Sequence, residues 1–220
     1  IHTHLSEWQR EDTKPLLNSG FLCSDVVLAH CIWLSTADID ALANTHVNVA
    51  HNPKSNMKSG SGVAPIWEMM NRKINICIGT DGPLMMHKFD LWEDVRTSLL
   101  LQRVIHKDAR IIDAGTALRM ATINGAKALG MSATIGSLEK GKKADIILIN
   151  ANKIHFTTLI SRGKHSNLVS SLVHATTGCD VETVMIDGEV IMEDGKFKKL
   201  DIKNLQAKVK RSAERILGEL

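Results

Sequence analysis

Ile74-Asn75-Ile76-Cys77-Ile78-Gly79-Thr80-Asp81-Gly82 reads as a buried strand that stops at an acid. Ile74, Ile76 and Ile78 alternate with smaller residues, the period of a half- or fully buried strand. Gly79 ends the run and a carboxylate follows at once. Two readings of Asp81 stand at this point. It caps the next turn, since Asp-Gly is common turn chemistry, or it is a chemical group presented at a strand end.

Three earlier runs behave alike. His2-Thr3-His4 opens the chain, Val26-Val27-Leu28-Ala29 ends at His30, and Val47-Asn48-Val49-Ala50 ends at His51. The strand ends at His4, His30, His51 and Asp81 lie 26, 21 and 30 residues apart. Amphipathic or polar segments fill the gaps: a helix within Trp8 to Gly20, a helix starting at Ser35 as N-cap, and a Gly/Ser/Asn-rich loop from Asn52 to Gly62 before a short helix near Ala64 to Arg72. That alternation is the pattern of βα units on a parallel sheet. One His at a strand end is usually a buried structural imidazole. Four ligand or acid–base groups in register fit convergence on one pocket better, because parallel strands bring their C-terminal ends together.

Beyond Asp81, helices are expected over Phe89 to Val104 and over about Ala114 to Leu129. A polar turn, Gly136 to Asp145, precedes a strand at Ile146 to Ile149. Val181 to Met192 reads as a hairpin about Asp187-Gly188. A last helix, Asp201 to Leu217, is expected to carry Leu205, Val209 and Ile216 toward the body. The expected fold is α/β, in three parts: residues 1–134 as a barrel-like portion with the site, 135–197 as a β-rich portion with an intervening helical segment, and 198–220 as the C-terminal helix.

Composition limits the classes. Of 220 residues, 44% are apolar and 23% charged, and the net charge is +3, which makes no case for nucleic acid. The basic excess from Lys196 to Arg215 reads as a solvated helix face. There is no apolar run long enough to span a bilayer. No signal peptide is visible in a chain that opens on Ile1. The four cysteines are scattered without a CxxC pair, as expected of reduced thiols in a cytoplasmic protein.

The motifs together resemble the amidohydrolase superfamily, in the aminohydrolase and chlorohydrolase branch that includes S-adenosylhomocysteine/methylthioadenosine deaminases, guanine deaminase and atrazine-type chlorohydrolases. The matching pieces are His4-Leu5-Ser6-Glu7, His30-Cys31, Ala50-His51-Asn52-Pro53-Lys54-Ser55-Asn56-Met57-Lys58, Gly60-Ser61-Gly62-Val63-Ala64-Pro65, Gly79-Thr80-Asp81-Gly82 and Ile135-Gly136-Ser137-Leu138-Glu139-Lys140-Gly141-Lys142-Lys143-Ala144-Asp145. The resemblance implies the C-terminal half of a TIM-like (β/α)8 barrel, strands five to eight, plus part of a small β-sandwich. It implies a divalent metal, zinc first and iron second, held by His4 and Asp81. Glu7 is implied as proton shuttle, His30 as the group holding the attacking water or the reacting substituent, and Asp81 as general base. Glu7 and His30 would also touch substrate, while His51 would be structural or support the site from behind.

Three departures from the family's pattern matter. Its first-strand His-x-His pair is absent. His2-Thr3-His4 does not fill that place, because 77 residues separate His4 from Asp81, which fits strand five at roughly 30 residues per unit. Trp33 stands where many relatives have a second His, and Pro83-Leu84-Met85-Met86-His87 replaces a small, Ser/Asn-rich stretch. The expected function is hydrolytic deamination of a purine-, pterin- or triazine-like heterocycle. Dechlorination of a triazine-like ring, or a catalytically incomplete half-barrel acting only in structure or interaction, is the alternative. Expected partners are the small heterocycle, the missing N-terminal half and a further copy of the chain, with metal held weakly by residues 1–220 alone.

Overall fold

The computed structural model describes residues 1–83 and 86–218. It divides into two units, one of Ile1–Lys142 with Asn152–Gly178 and one of Lys143–Ala151 with Cys179–Leu220. Residues 152–178, expected within the β-rich part, therefore group with the strands that carry the site.

In the first unit the four short strands are β1 (His2–Leu5), β2 (Val27–His30), β3 (Asn48–His51) and β4 (Asn75–Ile78). They lie in the order β1-β2-β3-β4, every pair parallel. Four helices fill the gaps: α1 (Lys14–Asn18), α2 (Thr36–Ala43), α3 (Pro53–Ser59) and α4 (Ile66–Asn71). Leu28, Val49 and Ile76 turn one face of the sheet into the main core with Ile39, Leu42, Ile66, Met69 and Leu99. The neighbouring positions, one residue out of phase, point the other way.

That second face is covered at its lower end. The chain continues through α5 (Leu91–His106), α6 (Ala114–Met120) and α7 (Ile123–Ala128). Ala128 packs with Val27, Cys77 and Ala50. Asn75 Nδ2 donates to Asn48 Oδ1 at 2.8 Å and to the Asn124 carbonyl at 3.0 Å, and Asn124 Nδ2 donates to the Ile76 carbonyl at 2.9 Å. These bonds satisfy polar groups that burial would otherwise penalise. α8 (Leu168–Ala175) completes the unit, and Arg96 of α5 donates to the carbonyls of Val173 and Thr176.

Three local expectations differ. The single helix expected over 114–129 is two, because Thr122 donates its hydroxyl back to the Leu118 carbonyl and leaves helical geometry at φ −125°, ψ −98°. The helix within 8–20 shrinks to α1, since Glu11 turns back to accept from the Ser6 amide at 2.7 Å. The expected loop 52–62 contains α3, started by Pro53 and stopped by Gly60 at φ 68°. A proline suits the first helical turn and glycine the left-handed stop.

The second unit is an antiparallel sheet of β5 (Ile146–Ile149), β6 (Val181–Ile186), β7 (Glu189–Glu193) and β8 (Lys196–Phe197), with α9 (Ile202–Gly218) after it. The β6–β7 turn takes Asp187 and Gly188 through φ 51° and 80°, the left-handed pair that a two-residue hairpin prefers. α9 corrects one expectation. Leu205, Val209 and Ile216 are exposed, and no residue of α9 is buried, so its apolar seam does not turn into its own unit. No helix of the described residues is long and apolar enough to cross a membrane.

Candidate active site

At the end of β1 the chain bends sharply. Ser6 has φ 49°, a left-handed value that costs energy for a residue with a Cβ. The bend is held by exchange between Ser6 and Glu11, in which the Ser6 amide donates to the Glu11 carboxylate and the Glu11 amide donates to Ser6 Oγ at 3.2 Å. β2 ends the same way, with His30 at φ 70° and Cys31 at φ 51°. The amides of Ile32 and Trp33 donate to the Ser6 carbonyl at 3.0 and 3.1 Å, which sews the two strand ends together.

These bends bring His4, Glu7 and His30 to one place. One ligand atom from each lies within 4.8 Å of the other two. Glu7 Oε2 is 3.4 Å from His4 Nδ1 and 3.7 Å from His30 Nε2. The two imidazoles meet edge to face, with centroids 4.9 Å apart. Exposure separates them: the His4 side chain is 67% exposed, Glu7 16% and His30 1%. His30 Nδ1 is 2.8 Å from Asn56 Oδ1, while its Nε2 is buried without a hydrogen-bond partner.

Asp81 stands outside that triplet but within reach of its charge. It also has a left-handed backbone, φ 63°. Ser55 Oγ donates to its Oδ2, and the Gly82 amide donates to Oδ1 at 2.6 Å. Burial pulls the carboxyl upward, but the bonds from Ser55 and Gly82 and the charges of His30 and His4 outweigh it and hold it below the usual carboxylate range. Asp81 is therefore ionised at neutral pH.

His51 is fully buried, and neither ring nitrogen has a hydrogen-bond partner. Burial, with His30 second, presses it down to about 3, so it stays neutral. Leu84 and Met85, from the stretch that departs from the family's pattern, lie outside the described residues.

The reading of residue types missed the work of Ser55 and Asn56. Both are 1% exposed on α3 and touch Asp81 and His30 respectively. It also missed why residue 79 is glycine: a Cβ there would collide with Asn52 Oδ1. The only signal for these contacts was the Asn52-Pro53-Lys54-Ser55-Asn56 run itself.

Residues 2–191 match the model of the Amidohydrolase family. The chain belongs to the amidohydrolase family. Among its relatives, a 5-methylthioadenosine/S-adenosylhomocysteine deaminase of Acetivibrio thermocellus is 36% identical over 228 residues, covering 99% of this chain and 52% of the relative. A 5'-deoxyadenosine deaminase of Methanosarcina acetivorans is 39% identical, covering 99% and 51%. Among solved structures, a zinc-bound adenosine deaminase from Xanthomonas campestris superposes with a TM-score of 0.91 at 29% identity, covering 99% of this chain and 51% of that one. An atrazine chlorohydrolase from Arthrobacter aurescens, complexed with zinc, gives a TM-score of 0.83 at 25% identity, covering 96% and 48%. The chain thus spans about half the length of these amidohydrolase relatives.

Proposed function

We propose that the four parallel strands are strands five to eight of a (β/α)8 barrel, and that the protein completed by the other half is a metal-dependent aminohydrolase acting on an adenosine-like heterocycle. The observation that carries this reading is the meeting of His4, Glu7 and His30 at adjacent strand ends, with His30 Nε2 buried and without a hydrogen-bond partner. A nitrogen and oxygen donor set around an orphaned buried atom fits a divalent ion such as zinc or iron. Of this donor set His4 would be a ligand, and Asp81, which stands outside the triplet, would be the other ligand this half supplies, while Glu7 and His30 would face the bound water and substrate. When bound, such an ion supplies a water acidic enough to be deprotonated near neutral pH.

The side chains then divide the remaining work. Deamination forms a bond from the water oxygen to a ring carbon and breaks the bond from that carbon to the amino nitrogen. Asp81, held ionised by Ser55 and Gly82, accepts the proton of the attacking water. Glu7 delivers a proton to the ring nitrogen, Asp81 passes the water's proton on to the amino nitrogen, and ammonia leaves as the proton of the new hydroxyl returns to Glu7. His30 presents Nε2 to the reacting substituent. The carboxylate three residues past His4 favours deamination over dechlorination, because an ammonia-leaving reaction needs a proton on the ring.

The relatives' activities on methylthioadenosine, S-adenosylhomocysteine and 5'-deoxyadenosine favour an adenosine-like substrate over a pterin or triazine. A panel of adenosine derivatives, guanine, pterins and chlorotriazines, read by ammonia and chloride release with the zinc- or iron-loaded full-length protein, tests it. Ammonia release from the adenosine derivatives is expected. Chloride release alone would replace deamination by dechlorination, and silence on the whole panel would leave a half-barrel with an interaction role.

A further inference from the structure

We propose that Ser55 and Asn56 are paired positioning residues, one turn of α3 orienting Asp81 through Ser55 Oγ and His30 through Asn56 Oδ1. The proposal rests on the roles given to Asp81 and His30 above, and adds how the two are set relative to each other. Consecutive helical residues point about 100° apart. That divergence lets two neighbours reach the ends of two different strands, β2 on one side and β4 on the other.

The helix itself is held firmly. The Lys54 amide donates to Asp94 Oδ1 at 3.3 Å, and its ammonium pairs with Glu93, so α5 anchors the first turn of α3. The Asn56 amide donates to the Asn52 carbonyl at 3.0 Å, and Asn52 is wedged against Gly79. Both positioning side chains are buried, where no water competes and each hydrogen bond is electrostatically stronger.

Each bond decides a chemical property. A neutral imidazole carries one proton. Donation from Nδ1–H to Asn56 Oδ1 places that proton away from the pocket and leaves the Nε2 lone pair facing Glu7 Oε2, 3.7 Å away. The Ser55 hydroxyl has one proton to give and spends it on Asp81 Oδ2. The Gly82 amide takes Oδ1, so the carboxylate plane is fixed from both ends. Asp81 sits on a left-handed backbone that does not fix its side chain, and Ser55 supplies the constraint.

Two measurements decide the proposal. Long-range proton–nitrogen NMR of the metal-free 220-residue chain, at a pH where the ring is neutral, reads the His30 tautomer directly. Protonated Nδ1 is expected in the unaltered chain and in Asn56→Asp, which keeps an acceptor, and its loss is expected in Asn56→Leu. An Nε2–H tautomer in the unaltered chain, or Nδ1–H surviving in Asn56→Leu, overturns the role of Asn56. In the complete enzyme, Ser55→Ala should lower kcat about 10- to 100-fold while KM stays within about twofold, and Ser55→Thr should recover most of it. An unchanged kcat, or a rise in KM alone, overturns the role of Ser55. The tautomer measurement needs no substrate, so an inert complete protein would remove the deaminase reading while NMR still decides the positioning of His30.

Discussion

Glu7 and Asp81 are both carboxylates at strand ends, yet their surroundings differ. Asp81 is bound by a hydroxyl and an amide and kept ionised, whereas Glu7 Oε2 faces two imidazoles at 3.4 and 3.7 Å. In the active full-length protein, Asp81→Asn is expected to cut kcat roughly 100-fold or more, because an amide cannot take a proton from water. Glu7→Gln should leave metal content nearly intact while turnover falls. Metal analysis beside single-turnover kinetics separates the two, and parallel loss of metal and rate would make Glu7 a ligand. His51 supplies a pH dependence. Its folded value of about 3 lies below the ordinary 6.5, so between these values the unfolded chain binds more protons. Its contribution is complete at pH 7 and is lost as pH falls through that window. Urea unfolding should show a loss of about 2 kcal/mol between pH 7 and pH 5 that is absent in His51→Gln. Equal pH slopes in the two proteins would refute the assignment. At this scale the residue types could be read from sequence, because strand ends announce themselves by a break in apolar alternation. The partners of those residues could not, since Ser55 and Asn56 act across 26 residues each way.

α2 shows how much of an element a short motif can specify. Ser35 accepts from the Asp38 amide at 3.2 Å, and Asp38 accepts from the Ser35 amide at 2.9 Å, a reciprocal cap of which the Ser35 half was readable from the sequence. The structure adds what spacing does not show. Arg10 pairs with Asp38 at 3.1 Å and Thr13 donates to it at 2.9 Å, so the cap also pins the chain leaving β1. Burial raises the Asp38 carboxyl, but the bonds from Ser35, Thr13 and Arg10 prevail and bring it to about 2. Ser35→Ala should cost about 1–2 kcal/mol in urea unfolding, and a loss too small to measure would show that the cap is idle. The β6–β7 hairpin was equally readable, from Asp187-Gly188 between apolar runs. α3 and the break between α6 and α7 were not, because α3 lies in a Gly/Ser/Asn-rich run with one apolar residue, Met57, and the break rests on the Thr122 hydroxyl bond, which no periodicity records.

For the whole chain, the parallel sheet followed from strand spacing, while the grouping of residues 152–178 with the first unit depended on packing that no local pattern records. β1 and β4 are the outer strands of their sheet among the described residues, and each leaves one backbone edge unpaired within it. Unpaired edges of parallel sheet recruit further chain. The isolated 220-residue chain, of 24.2 kDa, is therefore expected to run as a dimer or larger in size-exclusion chromatography with light scattering, and to hold zinc weakly. A monomer with one tightly held equivalent would count against the half-barrel reading.

The two bonds made by α3 carry a consequence for the order of synthesis. His30 lies 26 residues before Asn56, and Asp81 lies 26 residues after Ser55. A chain leaving the ribosome thus presents the imidazole first, then the helix, and the carboxylate last. The imidazole can be oriented as soon as α3 forms, with β2 already available. The Asp81 carboxylate can be fixed only when β4 has emerged and docked beside β3. Both loops are short in sequence, which favours rapid closure. A nascent chain that ends between α3 and Asp81 would carry a correctly turned His30 but no Asp81 to work with it.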